Sequence, residues 1–284
     1  MASGVARRNQ KQRQGGRRGQ TIAGILIASL LSAAAFAEEA AQPQPADPPA
    51  APAPYSPECH GGSDAVVSDS SLPHVAAALA KRKSVRILAI GASAGRRQGG
   101  YTAQIERLLK QAMKGANVVM VNRGVSGELA ADASHRIRNE VALTSPDLVI
   151  WQVGTNDALT FVPLEEFAHT VTTTIRWLKE HNVDVVLAGL QYVARVSQDD
   201  HYYRVREILR EIATKENVII IRRYEAMQFI AAVKEHDGGY KLDEFERTEA
   251  GYDCLAQYLA HAITIGAFGK GMSMRPLRSP PQEK

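Results

Sequence analysis

Val85-Arg86-Ile87-Leu88-Ala89-Ile90-Gly91-Ala92-Ser93 is the stretch that decides the fold. Its apolar run is too short for a helix and stops at Gly91, so it reads as a buried central strand followed by a turn of small residues. In open α/β sheets the carboxyl ends of the strands are where ligands and reacting groups collect. Ser93 is therefore a candidate nucleophile.

Downstream of this strand the same kind of run recurs at Asn117 to Val121, Leu148 to Val153, Val183 to Leu190 and Val218 to Ile221, all rich in Val, Ile and Leu. Between them apolar residues are spaced three or four apart, as helices require: Ile105, Leu108, Leu109 and Ala112; Phe167, Val171, Ile175 and Leu178; Val205, Ile208, Leu209 and Ile212. A short helix is expected around Val75 to Lys81, and a last one from Glu249 to about Ile265 with Leu255, Leu259 and Ile263 on one face. Five strands alternating with helices imply a central five-stranded parallel sheet in a three-layer α/β/α sandwich. No linker-like break interrupts residues 75 to 265, and no internal repeat is visible.

Three of the strands are followed by loops that carry chemistry. They are Gly91-Ala92-Ser93, Asn122-Arg123-Gly124-Val125-Ser126-Gly127 and Gly154-Thr155-Asn156-Asp157. Loops at the same ends of neighbouring parallel strands converge, so a hydroxyl, a glycine N–H and an amide side chain would face one small volume. Acyl transfer needs that set: an oxygen nucleophile, and donors aimed at the oxyanion formed when it attacks a carbonyl.

From about residue 85 to residue 265 the chain resembles the SGNH (GDSL-like) hydrolases. Ser93 stands at the family's block I nucleophile, Gly124 at the block II glycine and Asn156 in the block III Gly-x-Asn-Asp. The segments Tyr101-Thr102-Ala103-Gln104-Ile105-Glu106 and Leu190-Gln191-Tyr192 also look like those of extracytoplasmic bacterial members. The resemblance implies an SGNH, flavodoxin-like sandwich whose oxyanion hole is made by the N–H groups of Ser93 and Gly124 and the amide of Asn156.

Two positions depart from the family pattern. Ala92 replaces the Asp of Gly-Asp-Ser, a side chain that mainly braces the turn. Block V should supply Asp-x-x-His shortly before a Gly-Tyr; here Gly251-Tyr252 aligns Asp243-Glu244-Phe245-Glu246, so Glu246 occupies the histidine position. An imidazole titrating near 6.5 accepts the serine proton and returns it at neutral pH, whereas a carboxylate near 4.3 is the weaker base by about two units. Three readings follow. Asp243 and Glu246 form a carboxylate dyad that serves as base; a histidine from elsewhere, His236 or His201, serves instead; or Ser93 is a vestige in a pocket that only binds. The expected function is thus an SGNH-type serine ester hydrolase on an envelope carbohydrate or lipid ester, with an atypical Asp/Glu pair. The alternative is a catalytically impaired SGNH domain that binds a glycan or a protein partner.

The chain ahead of this domain reads as a leader and a tether. Residues 1–37 carry six basic side chains and no acid, then an apolar stretch from Ile22 to about Ala35 and Ala35-Phe36-Ala37, a pattern suited to signal peptidase. The stretch is short for a membrane span, and Arg17-Arg18 is a weak twin-arginine signal. A cleaved signal peptide and a periplasmic or extracellular location are expected, with membrane contact only through an uncleaved leader. Residues 38–58 are rich in Ala and Pro and read as a disordered linker, 59–266 as the hydrolase-like domain and 267–284 as a disordered tail.

The formal charge of +4 resides in the leader, because the rest holds 28 basic against 30 acidic residues. Nucleic-acid binding is therefore not expected. Cys59 and Cys254 form an even pair in an exported chain and are expected to be oxidised to a disulfide. No metal-ligand spacing and no phosphate-binding glycine loop is present, so no cofactor or metal is expected. Arg96 and Arg97 read as solvated surface, Asp157 as a brace for the block III turn or an acceptor for a backbone N–H, and Trp151 and Trp177 as packing residues. A monomer is expected.

Overall fold

A computed structural model describes residues 55–60, 66–67, 70–91, 100–236 and 249–269. Its elements are β1 (Val66–Val67), α1 (Pro73–Arg82), β2 (Ser84–Gly91), α2 (Gly100–Ala112), β3 (Asn117–Asn122), α3 (Ala130–Thr144), β4 (Leu148–Gln152), α4 (Thr155–Leu159), α5 (Leu164–Glu180), β5 (Asp184–Ala188), α6 (Asp200–Lys215), β6 (Ile219–Ile221), α7 (Arg223–His236) and α8 (Glu249–Phe268). The sheet order is β1-β6-β5-β4-β2-β3. The five expected strands are all parallel, and the two-residue β1 adds an antiparallel edge to β6 that is too short to read in the sequence. The expected leader, most of the expected linker and most of the expected tail fall outside the described residues; where they are described, Ser56 of the expected linker bonds to Gln257 of α8, and Ala267 and Phe268 of the expected tail belong to α8.

The strands form where β-branched and other apolar residues run together, and parallel strands covered on both faces need no polar alternation. Every residue of β4 and β5 is buried. Helices α1 and α2 pack on α8, while α3 packs on α5 and α5 on α6, which gives a helical layer on each face. The expected stripe on α8 understates its burial: Cys254, Ala256, Tyr258 and Ala262 are buried along with Leu255, Leu259 and Ile263. Trp151 is fully buried in β4, and Trp177 is partly buried against the core.

The sheet and its helices are bonded at their ends by side chains distant in sequence. Asp184, the first residue of β5, accepts from the N–H groups of His74 and Val75 at 2.9 Å each, supplying the cap that Leu72 cannot give α1. Burial pushes the Asp184 carboxyl above its ordinary range, opposed by those two donors. A folded-state pKa raised above the unfolded value means a stability contribution present below about pH 4 that is lost as pH rises through the raised value. Asp184→Asn keeps an acceptor and removes the charge, so its unfolding free energy is expected to change less than the wild type's between pH 3.5 and 6. Parallel curves in urea titrations across that range would contradict the assignment.

The cysteine pair is a disulfide: Cys59 and Cys254 are joined with Cα atoms 5.1 Å apart and a sequence separation of 195. Around it, the Tyr258 hydroxyl donates to the Cys59 carbonyl, the Ser56 N–H donates to Gln257 Oε1 at 2.8 Å, and Gln257 Nε2 donates to Ser56 Oγ at 3.0 Å. The segment preceding the sheet is thereby held on α8.

Candidate active site

The loops after β3 and β4 meet at the carboxyl edge of the sheet, where β2 ends at Gly91. Gly91 lies opposite Gln152 in the β2–β4 ladder and adopts φ +111°. A Cβ there would stand 2.1 Å from the Gln152 carbonyl oxygen, so only glycine lets the chain turn so close to β4. Ser93 follows two residues later and lies outside the described residues, as do Arg96, Arg97, Asp243 and Glu246.

Gly124 and Asn156 are described. Gly124 sits in the loop between β3 and α3, and its N–H donates to Asn122 Oδ1 at 3.0 Å. Asn122 in turn donates through Nδ2 to Thr102 Oγ1 at 3.3 Å, connecting this loop to α2. Asn156 lies in the first turn of α4, where Nδ2 donates to the Glu128 carbonyl at 3.0 Å. An amide nitrogen carries two hydrogens. The second has no acceptor among the described residues.

Asp157, the next residue, is 2% exposed and accepts from the Ala130 N–H at 2.8 Å. It thus caps α3, whose own N-cap residue, Leu129, has no acceptor side chain. Burial raises its carboxyl pKa, with the Ala130 N–H the strongest opposing influence. Of the two roles expected for it, acceptance of a backbone N–H is the one this bond fills. Residues 156 and 157 therefore bond the end of the β3–α3 loop and the first residue of α3, respectively.

Further bonds hold this corner in ways that motif spacing did not reveal. Arg136 of α3 pairs with the Glu128 carboxylate, 2% exposed, and also donates to the Arg123 carbonyl, closing the loop that carries Gly124. Thr155 Oγ1 accepts from the Gln191 N–H at 3.0 Å, and the Tyr202 hydroxyl donates to the Gln191 carbonyl at 2.6 Å. Gly154, at φ +101°, has Leu190 Cδ1 2.6 Å from where a Cβ would be, which draws the post-β5 segment against α4. The resemblance of Leu190-Gln191-Tyr192 to segments of extracytoplasmic members carried no indication of these contacts.

Neither alternative histidine is placed at Asn156 by a described bond. His201 is the second residue of α6; its ring lies on Phe161, centroids 5.2 Å apart, and Nε2 is buried without an acceptor among the described residues. His236 closes α7. No group of three potential metal ligands occurs among the described residues, and no helix among them is long and apolar enough to cross a membrane.

A family model described as the non-GDSL lipase-like family matches residues 58–268, most of the chain. The chain belongs to this family. Its fold is that of the SGNH-like hydrolases. No curated protein matches the sequence. Among solved structures this non-GDSL lipase-like protein is similar to an acetyl xylan esterase, at 21% identity over 63% of this chain and 100% of the other, with TM-score 0.54. An alpha/beta hydrolase enzyme from the metagenome of Lake Arreo, Spain, matches at 20% identity, 64% and 96% coverage and TM-score 0.51. An acetylxylan esterase from Geobacillus stearothermophilus matches at 21%, 63% and 94%, with TM-score 0.50. At these identities the likeness supports the fold alone.

Proposed function

We propose that this protein is an exported serine ester hydrolase acting on an acyl group carried by a carbohydrate or lipid. Ser93 Oγ attacks the ester carbonyl while its proton passes to the carboxylate pair Asp243 and Glu246. The carbonyl electrons move to oxygen, and that oxyanion accepts from Gly124 N–H and Asn156 Nδ2. Collapse expels the alcohol, which takes the proton back; water then repeats the sequence on the acyl-enzyme and releases the acid.

The supporting observation is the pair of bonds from Asn156 and Asp157 to the β3–α3 loop, beside the close approach of Gly91 to β4. One donor must change partners, since Gly124 N–H is taken by Asn122 Oδ1. A hydrogen bond to a charged oxygen is roughly twice as strong as one to a neutral amide, so a developing oxyanion outcompetes Asn122. Acetyl esters of xylan-like glycans are the first substrates to try, because solved neighbours include acetyl xylan esterases.

The engaged Gly124 N–H and the glutamate at position 246 also favour a second reading, a cleft that binds a glycan without cleaving it. Fluorophosphonate labelling and p-nitrophenyl acetate turnover distinguish the two. Labelling of mature wild type on the peptide holding Ser93, lost in Ser93→Ala, is the expected result. Wild type and Ser93→Ala equally inert to both reagents would leave only the binding cleft.

A further inference from the structure

The short helix that carries Asn156 ends on an outlier. Among the described residues five other than glycine adopt positive φ, and each stands just past the end of a helix: Lys83, Ser145, Phe161, Asn182 and Asn217. A left-handed residue there lets the chain leave the helix, and glycine or a small polar residue fills the place at least cost. Phe161, at φ +56°, is the one apolar residue of the five, and it is 64% exposed.

The fold gains little from that ring. It lies outside the hydrophobic core, and its ring contact among the described residues is His201, with centroids 5.2 Å apart and planes tilted by 34°. The peptide groups on either side are bonded back to α4. Thr160 donates to the Asn156 carbonyl from its N–H at 2.9 Å and from Oγ1 at 2.8 Å, and the Val162 N–H donates to the Asp157 carbonyl at 2.9 Å. The ring is thereby fixed relative to the residue proposed to hold the oxyanion, five positions further on, or about 7.5 Å along a helix axis. Strain kept in an exposed apolar residue marks a contact supplied by something other than the fold.

From these observations we infer that Phe161 is a specificity-determining residue, a stacking platform for a sugar ring of the substrate beside the unit that carries the ester. The face of an aromatic ring is apolar and electron-rich, and the axial C–H bonds of a β-linked xylose or glucose unit give it an apolar, slightly positive face of similar size. The surroundings favour a sugar over an acyl chain. Thr160 and Asp200, which precede Phe161 and His201, are exposed polar residues able to meet ring hydroxyls, whereas an acyl chain calls for a continuous apolar channel rather than one ring. Because His201 backs the ring and α4 fixes its backbone, little freedom is lost on stacking. The placing of the sugar beside an ester rests on the hydrolase reading; the platform itself does not.

The test uses the mature protein, Phe161→Asn and Phe161→Trp, with p-nitrophenyl acetate, p-nitrophenyl decanoate and acetylated xylohexaose as substrates. Asparagine suits a left-handed backbone, so Phe161→Asn is expected to melt no lower than wild type. Its KM for acetylated xylohexaose should nevertheless rise about tenfold, with kcat and both p-nitrophenyl ester rates unchanged. Phe161→Trp keeps a stacking face and should stay within about twofold of wild type on the glycan. An unchanged glycan KM in Phe161→Asn, equal loss on all three substrates, or a loss confined to the decanoate, which would make the ring an acyl contact, overturns the inference. Calorimetric titration with unacetylated xylohexaose and cellohexaose needs no turnover. Binding of either sugar by wild type that weakens about tenfold in Phe161→Asn and persists in Phe161→Trp supports the platform. Equal binding by wild type and Phe161→Asn, or none of either sugar by wild type, removes it. If wild type cleaves no ester at all, the hydrolase reading fails and the titration alone decides the platform.

Discussion

Glu246→Gln is expected to lower kcat toward p-nitrophenyl acetate by about a thousandfold or more. The amide matches the carboxylate in shape but cannot take the serine proton, and removing the base of a serine triad costs up to about six orders of magnitude. Unchanged circular dichroism would separate this loss from misfolding. The wild-type pH profile gives an independent sign of the base. With a carboxylate, log kcat/KM should rise with pH through the carboxylate range near 4 to 5 and level off by neutrality; a histidine would put the rise near 6.5. His201→Ala and His236→Ala are expected to stay within about twofold of wild type. Turnover that survives in Glu246→Gln but collapses in His236→Ala would transfer the role to that histidine.

The second large effect concerns the covalent tie. Breaking the Cys59–Cys254 bond, by Cys59→Ala with Cys254→Ala or by reduction, is expected to cost about 5 kcal/mol, because the bond closes a loop with 195 residues of separation and so restricts the unfolded chain. For a domain of this size that corresponds to a melting temperature lower by roughly 10 °C or more. Loss of the cross-link also frees the 55–60 segment from Gln257 and Tyr258. A change of less than about 2 °C on reduction would show that the unfolded chain is held compact by other means.

The parallel strands were legible because apolar residues run without interruption wherever both faces of a sheet are covered. Boundaries were less so. Val183 to Leu190 reads as one strand, yet β5 is Asp184–Ala188: the apolar run outlasts the ladder, and a carboxylate needed as a cap for α1 opens the strand. Helix α3 lacks a readable stripe because its buried face is Ala130, Ala133 and Ile137, and small residues give little periodic contrast. Helix α7 begins with Arg223, 1% exposed, a charge that sequence patterning assigns to solvent.

The site was legible as types of residue at the ends of strands, not as bonds. Spacing brought Gly124 and Asn156 to one edge, and an acceptor role for Asp157 toward a backbone N–H was readable, but not that the N–H would be that of Ala130 at the start of α3. Nothing in the spacing foretold the Arg136–Glu128 clamp or the Asn122 acceptor, because each depends on side chains crossing between elements.

The adjacency of Asn156 and Asp157 couples two properties usually distinct. Asn156 bonds the carbonyl of Glu128, near the end of the 123–129 connection, and Asp157 fastens Ala130, the first residue of α3, two positions further on. Any breathing that frays the first turn of α3 also shifts the Asn156 amide, so under the proposed hydrolase reading heat or denaturant is expected to silence turnover at this corner while the sheet behind it is still intact.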